Sequence, residues 1–323
     1  MDLQAYLERE HITFEENTDL SKRTWIHRGG KARYYITPET TAQLSAIVKF
    51  LYAENKPFKI VGHTSNIYIR NTTDLPIVIS TLHLTRYEEQ EGRYICDCGV
   101  AITGLSKQAI QSGHAGYEGF INLPGTIASA AVNNAGCFGC IISNLLIEAE
   151  VLCPDGQIRT YTKAMFGYSE RSSAFKRREV EGVIIRVTLD CSRHAESEQL
   201  IKQAESNTQY RKTRQEGPKQ NLGSTYPLYV MDAFYRQLPF YTRLCLLLSA
   251  KWHQITGSQR SQQEVNRIIL LCSGKYRRLH PYISKHNFGC FVWRDANADK
   301  AFTEYRAFIA KTSGMPDIEI EVL

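Results

Sequence analysis

At 323 residues and 36.8 kDa the chain is long enough for two or three domains and a sizeable core. Its 43% hydrophobic and 22% charged residues are those of an ordinary globular protein and exclude a low-complexity or repeat-built chain. The formal charge of +6 is too small and too dispersed for nucleic acid as a partner, though it suits small anionic molecules. Nine cysteines without regular spacing argue against a secreted disulfide framework and for a reducing cytoplasm. The first ten residues have neither a basic nor an apolar region of the kind a signal peptide needs, and the longest apolar run, Leu244 to Ala250, is far too short to span a bilayer.

In chain order, Asp2 to Glu10 reads as a short helix, and Gly29-Gly30 as a turn between two short strands within Thr24 to Tyr35. Leu44, Ile47, Val48 and Leu51 fall at helical spacing and predict an amphipathic helix over Thr41 to Glu54. Phe58 to Val61 reads as a strand that enters the loop Gly62 to Asn66, after which Ile67 and Ile69 mark another. Pro76 to Ser80 and Tyr94 to Gly99 read as buried strands, and Ile102 to Ser112 as a helix stopped by Gly113. Leu146 to Leu152 and Gln157 to Thr162 flank Pro154-Asp155-Gly156, a hairpin signal, and Gly182 to Leu189 is a β-branched run.

Beyond Cys191 the pattern changes. Glu196 to Arg214 predicts a polar helix with a basic end, broken by Gly217, Pro218 and Gly223. Tyr229 to His253 and Gln262 to Leu279 predict two helices with apolar faces. A strand at Phe288 to Trp293, a helix near Asp299 to Thr312 and a terminal strand Ile318 to Leu323 complete the set.

The stretch Asn122 to Ile141 organises the rest. Pro124-Gly125 marks a tight turn, and the small residues behind it leave the backbone open to another molecule. Feeding a helix N-terminus, such a turn points free N–H groups outward and suits a phosphate or pyrophosphate; a closely packed helix start with no ligand fits the same residues. The loop Gly62-His63-Thr64-Ser65-Asn66 has the same two readings, phosphate donor or plain turn.

Taken together, these motifs resemble the UDP-N-acetylenolpyruvoylglucosamine reductase (UDP-N-acetylmuramate dehydrogenase) family. Thr24-Trp25 with Gly29 to Arg33 is similar to its opening motif, Val61 to Asn66 to its first flavin loop, and Gly116 to Glu118 with Pro124-Gly125-Thr126 and Asn134 to Gly139 to its second. Phe166 to Tyr168 and Arg171 to Lys176 resemble its arginine motif with two residues added between Tyr168 and Arg171. Asn221 to Tyr226 resembles its catalytic-serine motif, and Ser284 to Phe288 and Ile318 to Val322 its two last motifs. The sequence departs where the family has glycines, at His63-Thr64 and Ala128-Ser129, and Pro227 to Tyr282 follows no family pattern. If those positions needed positive φ, an L-residue would cost about 1–2 kcal/mol each, whereas a helical start would tolerate them.

The resemblance implies an α+β fold: a two-part FAD-binding domain of the PCMH/vanillyl-alcohol-oxidase type over 1–195, with lobes of about 1–75 and 76–195. A smaller α+β substrate domain over 196–323 would follow, its terminal strand 317–323 returning to the active site. It implies a cytoplasmic enzyme of peptidoglycan precursor synthesis that uses FAD and NADPH, takes a nucleotide sugar, and needs no metal. The cofactor residues would be Gly62, His63, Thr64, Ser65, Asn66, Pro124, Gly125, Thr126, Ala128, Ser129, Asn134 and Gly136.

The implied reaction reduces an enol-ether double bond conjugated to a carboxylate, so it needs a proton donor and a group to hold the carboxylate, where charge develops. By resemblance Ser224 is the donor, Arg171 grips the carboxylate through its planar fork, and Glu321 polarises the far side. Tyr168, Arg211 and Arg214 would line the substrate pocket. As bare sequence features, Ser224 is a turn residue after Gly223, Arg171 a solvated charge, Glu321 an acid near a chain end, and Arg211 and Arg214 a basic helix terminus. Cys137-Phe-Gly-Cys140 has redox spacing inside a loop that wants small residues, and no His, Cys and carboxylate cluster has metal spacing. Two other readings use the same residues: a flavin oxidoreductase acting on another nucleotide sugar or a secondary metabolite, and a nucleotide-sugar binding protein without flavin. The oligomeric state is not legible.

Overall fold

The structure, a computed structural model, describes residues 2–217 and 220–323. The fold is α+β. The described residues divide into two compact units, one of 2–24, 29–64 and 71–209, the other of 25–28, 65–70, 210–217 and 220–323. The division after Gln209 falls inside the helix Ser197–Arg214, and two short segments from the first quarter of the chain belong to the second unit.

The first unit holds two sheets. In the first, Thr13–Asp19 pairs antiparallel with Lys31–Thr37, which runs parallel to Asp74–Ser80, itself parallel to Lys59–Val61. The helix Thr41–Ala53 starts where the Thr40 hydroxyl accepts the Gln43 N–H at 3.1 Å, and buries Leu44, Ile47, Val48 and Leu51 in one cluster with Ile36, Ile77 and Ile79. Because the apolar residues repeat at helical spacing, a single face supplies all four to the core.

The second sheet is antiparallel, with Ile158–Thr162, Leu146–Leu152, Val183–Asp190, Arg93–Asp97 and Tyr87–Gln90 in that order. Glu91 and Gly92 both adopt positive φ, the two-residue hairpin geometry that joins Tyr87–Gln90 to Arg93–Asp97. The helices Ile102–Gln111 and Ile127–Asn133 bury Leu105, Ala109, Ile127 and Ala131 in a cluster with Tyr94, Val187 and Leu189 of this sheet.

The second unit has an aromatic core in which Phe234, Phe288, Phe291, Trp293, Phe302 and Tyr305 pack together. It carries the helices Leu228–Arg236, Phe240–Thr256, Gln262–Leu271 and Ala298–Ser313. Glu321–Val322 pairs parallel with Ile67–Tyr68.

Several sequence expectations are corrected. No strand lies between Thr24 and Gly29: Trp25 and Ile26 contribute to the aromatic cluster instead, and the strand that pairs with Lys31–Thr37 is the polar, largely exposed Thr13–Asp19. The helix expected over Tyr229 to His253 is two, because Pro239 lacks the N–H that a continuous helix needs. The next helix stops at Leu271, and Gly274–Tyr282 continues as 3₁₀ turns containing Pro281. Phe288 to Trp293 forms only isolated pairings, Val292 with Asn221 and Phe291 with Ile283. The terminal strand is shortened to Glu321–Val322. The chain break expected at Pro218 lies outside the described residues. Among the described residues no helix is long and apolar enough to cross a membrane.

Candidate active site

In the first unit the two loops expected to hold flavin touch. A Cβ built on Gly62 would lie 2.9 Å from both Cγ2 and Oγ1 of Thr126, so only glycine allows the approach. Gly125, at φ 138°, then turns the chain into the helix Ile127–Asn133. Thr126 caps that helix reciprocally with Ser129: the Thr126 N–H donates to Ser129 Oγ at 3.0 Å and the Ser129 N–H to Thr126 Oγ1 at 3.4 Å.

This geometry corrects the expectation of outward-pointing N–H groups. Ile127 donates its N–H to Val100 O at 2.8 Å and Ala128 to Cys98 O at 3.3 Å, while Thr126 and Ser129 serve each other. The first turn is a closely packed helix start. Ala128 and Ser129 lie inside the helix at ordinary φ, so replacing the family glycines there carries no backbone strain. In the first loop the outcome is split: His63 has ordinary φ, whereas the buried, β-branched Thr64 sits at φ 54°.

The helix ends on Asn134 in left-handed conformation, whose side-chain amide donates to Ser169 O at 2.9 Å. Ser169 and Ser172 exchange N–H to carbonyl bonds of 3.1 and 3.2 Å, closing a tight turn over Glu170 and Arg171. The two residues added to the arginine motif, Ser169 and Glu170, help build this turn. Arg171 takes φ 52°, its carbonyl accepts Lys176 Nζ at 2.9 Å, and a Cβ on Gly136 would lie 3.7 Å from its Nη1. Tyr168 stacks on Phe166 at 5.2 Å between centroids, and burial pushes its hydroxyl well above the ordinary phenol value. Thus Gly62 meets Thr126 at the start of the helix Ile127–Asn133, and at its other end Asn134 and Gly136 meet the turn that carries Arg171.

Three buried polar atoms of this unit, His63 Nδ1, Asn134 Oδ1 and Tyr168 Oη, lack a hydrogen-bond partner among the described residues. Buried polar groups are ordinarily satisfied, and orphans at His63 beside the Gly62 approach, at Asn134 at the far end of the helix that Thr126 starts, and at Tyr168 fit a polar, planar guest such as flavin. The residues fit the cofactor without the helix-terminus cradle.

In the second unit Ser65 and Asn66 lead into the strand that pairs with Glu321–Val322. The Glu321 N–H donates to Asn66 O at 2.9 Å and Asn66 Nδ2 to Glu319 O at 3.3 Å. Glu319 N–H reaches Thr225 O at 2.8 Å, and Thr225 N–H reaches Gly289 O at 2.7 Å. The exposed Ser224 is thereby held in the same network as Glu321. Gly223, at φ 75°, donates to Asn221 Oδ1 and presents the serine at a turn. Asn287 Nδ2 donates to Ser224 Oγ at 3.3 Å. No role follows for Asn287 from the sequence alone, although it belongs to the motif Ser284 to Phe288; its contact with Ser224 spans 63 positions.

Pro124 is half-buried at the turn before Gly125. Arg211 and Arg214 close the helix Ser197–Arg214; Arg211 is half-buried and donates to Gln215 at 3.0 Å, while Arg214 is exposed. Cys137 and Cys140 face each other in a short hairpin, where the Cys140 sulfur accepts the Gly119 N–H at 3.2 Å and burial pushes its thiol up to about 11. A grouping invisible in sequence spacing lies elsewhere in the first unit: ligand atoms of Glu89, His114 and Cys191 come within 4.8 Å of one another. His114 Nδ1 hydrogen-bonds the Tyr94 hydroxyl at 2.7 Å and its Nε2 lies 3.5 Å from the exposed Glu89, so His114 already has polar partners on both ring nitrogens.

The FAD binding domain family matches residues 32–162. A UDP-N-acetylenolpyruvoylglucosamine reductase of Synechocystis is 28% identical over 264 residues, which are 81% of this chain and 81% of that protein. The UDP-N-acetylenolpyruvoylglucosamine reductase 2 of Bacillus cereus is 31% identical over 173 residues, 54% of this chain and 56% of its own, so this match spans little more than half of the relative. The crystal structure of the UDP-N-acetylenolpyruvylglucosamine reductase of Thermus caldophilus superposes with a TM-score of 0.65 at 19% identity, covering 96% of this chain and 99% of that one. These likenesses support a divergent member of the UDP-N-acetylenolpyruvoylglucosamine reductase family, and with the FAD binding domain they make the chain an FAD-dependent oxidoreductase.

Proposed function

We propose that the protein passes a hydride from NADPH, by way of FAD, to the enolpyruvyl group of UDP-N-acetylglucosamine enolpyruvate, giving UDP-N-acetylmuramate in the cytoplasm. The observation that carries the reading is that Gly62 abuts Thr126, that the helix Ile127–Asn133 joins Thr126 to Asn134, and that Asn134 bonds Ser169 in the turn holding Arg171, so both flavin loops connect to the arginine motif. Bound FAD supplies the hydride chemistry.

The residues of the chain do the remainder. Arg171, held at a strained turn with its carbonyl fixed by Lys176, grips the substrate carboxylate as charge develops there. Ser224 gives its hydroxyl proton to the α-carbon, leaving an alkoxide. Asn287 already donates to that oxygen, so it stabilises the alkoxide and acts as a positioning residue. Glu321 polarises the far side of the site, while Tyr168, Arg211 and Arg214 receive the nucleotide sugar. The same overall reaction consumes one proton and oxidises NADPH to NADP⁺.

Stopped-flow half-reactions test the assignment. Ser224→Ala should leave anaerobic flavin reduction by NADPH unchanged and slow reoxidation by the enolpyruvyl sugar by about 10²–10⁴-fold. Asn287→Ala should slow the same half-reaction by a smaller factor. Unchanged reoxidation in Ser224→Ala would remove the serine from its role. A second reading, a flavin oxidoreductase acting on another nucleotide sugar, is favoured by one feature: residues 227–282 depart from the family pattern, and a different substrate would then fail to be replaced by the enolpyruvyl sugar in that reoxidation.

A further inference from the structure

The helix Phe240–Thr256 is turned inside out. In a surface helix of a globular protein the apolar stripe faces the core. Here the only fully buried residue among the 17 is Thr242, and the inward face carries Ser249 and His253, which bind Glu264 of the neighbouring helix at 2.6 and 2.8 Å. Arg260 further donates to Leu246 O at 2.8 Å. These polar bonds, together with the half-buried Leu246 packed against the aromatic cluster, seat the helix.

Apart from Leu246, its large apolar residues point outward. Phe240, Leu244, Leu247, Leu248, Trp252 and Ile255 are 43 to 81% exposed. At 3.6 residues per turn they form one stripe, roughly 22 Å long. With Tyr241, residues 244, 248, 252 and 255 follow the three-and-four spacing of a helix that packs on another helix. The stripe exposes on the order of 800 Å², more than the roughly 300–600 Å² of the largest patch on an ordinary monomer and close to the share each partner gives to a standard interface.

We infer that this face is the interface of a homodimer, the occupant being the same helix of a second copy. A two-fold axis brings a patch against itself, so the patch must be self-complementary. This one is: apolar throughout, with Leu248 near its middle and a single charge, Lys251, displaced from that middle so that it does not meet its own mate in an antiparallel pair. A membrane-surface helix has a cationic polar face beside the apolar one; the polar face here is consumed by Glu264, and the 17 residues carry only Arg243 and Lys251 as fixed positive charges. The face lies in the stretch that follows no family pattern, so the inference stands independently of the substrate.

Sedimentation velocity of the full chain in reductant, from low to high micromolar, tests it. The expected species has twice the 36.8 kDa mass of the chain. Leu248→Glu and Trp252→Glu, each on an exposed position, should shift it to monomer and raise the dissociation constant by at least 100-fold with an unchanged circular dichroism spectrum. Three results would overturn the inference: a monomer at every concentration, a dimer that both variants leave intact, or a monomeric wild type that floats with phosphatidylglycerol vesicles, which would assign the face to membrane.

Discussion

Thr64 holds a β-branched side chain at φ 54°, a conformation that costs an L-residue about 1–2 kcal/mol. Asn134 and Arg171 share that left-handed geometry at φ 43° and 52°. Strain of this kind persists where surrounding structure over-determines it, and it clusters where ligands are gripped. At most positions alanine is at least as stable as glycine; at Thr64 the order should invert. Thr64→Gly is expected to be more stable than Thr64→Ala by about 1 kcal/mol in urea unfolding, and the reverse order would show that the loop is not strained at this position. The motif Val61 to Asn66 was legible in the sequence, but the φ of its residues was not, because conformation there is set by distant packing. Asn287 was missed for a similar reason: its bond to Ser224 spans 63 positions and no spacing rule reaches that far.

At the scale of elements, the start of the helix Ile127–Asn133 and the loop at Gly62 form one mechanical unit. Thr126→Ala removes the cap and should cost about 1 kcal/mol. Gly62→Ala drives a methyl into Thr126 and should cost about 1–3 kcal/mol, with weakened FAD binding. The Thr126→Ala change removes both atoms that lie 2.9 Å from the built Cβ, leaving the next at 3.5 Å. Gly62→Ala should therefore cost little in that background, and a double-mutant cycle should return a coupling of at least about 1 kcal/mol; additive costs would separate the two loops. Helices and strands with local periodicity, such as Thr41–Ala53 and Leu146–Leu152, were readable because their pattern needs no partner to be seen. The polar strand Thr13–Asp19 lacks that pattern. The amide partners of the helix start were equally hidden, since Val100 and Cys98 lie more than two dozen positions upstream.

For the whole molecule, buried thiols and buried phenols such as Tyr94, Tyr117 and Tyr226 act in the same direction in alkali. Burial raises Cys96, Cys98 and Cys290 from the ordinary 9.0 to about 12. A group whose folded value lies above its unfolded one favours the folded state fully at pH below the unfolded value, and this contribution is lost as pH rises toward the folded one. The melting temperature should thus hold to about pH 9 and fall between pH 9 and 12, and a flat profile over that window would contradict the burial of these thiols. None of the nine cysteines is in a disulfide, so reductant should not move the curve.

The visible spectrum of the purified protein, followed anaerobically through addition of NADPH and then of UDP-N-acetylglucosamine enolpyruvate, tests the proposed activity most directly. The account predicts bound flavin that bleaches with NADPH and regains its colour with the enolpyruvyl sugar. Flavin that bleaches and stays bleached would contradict the substrate assignment, and a protein that takes up no FAD would contradict the reading of the two loops as a flavin site.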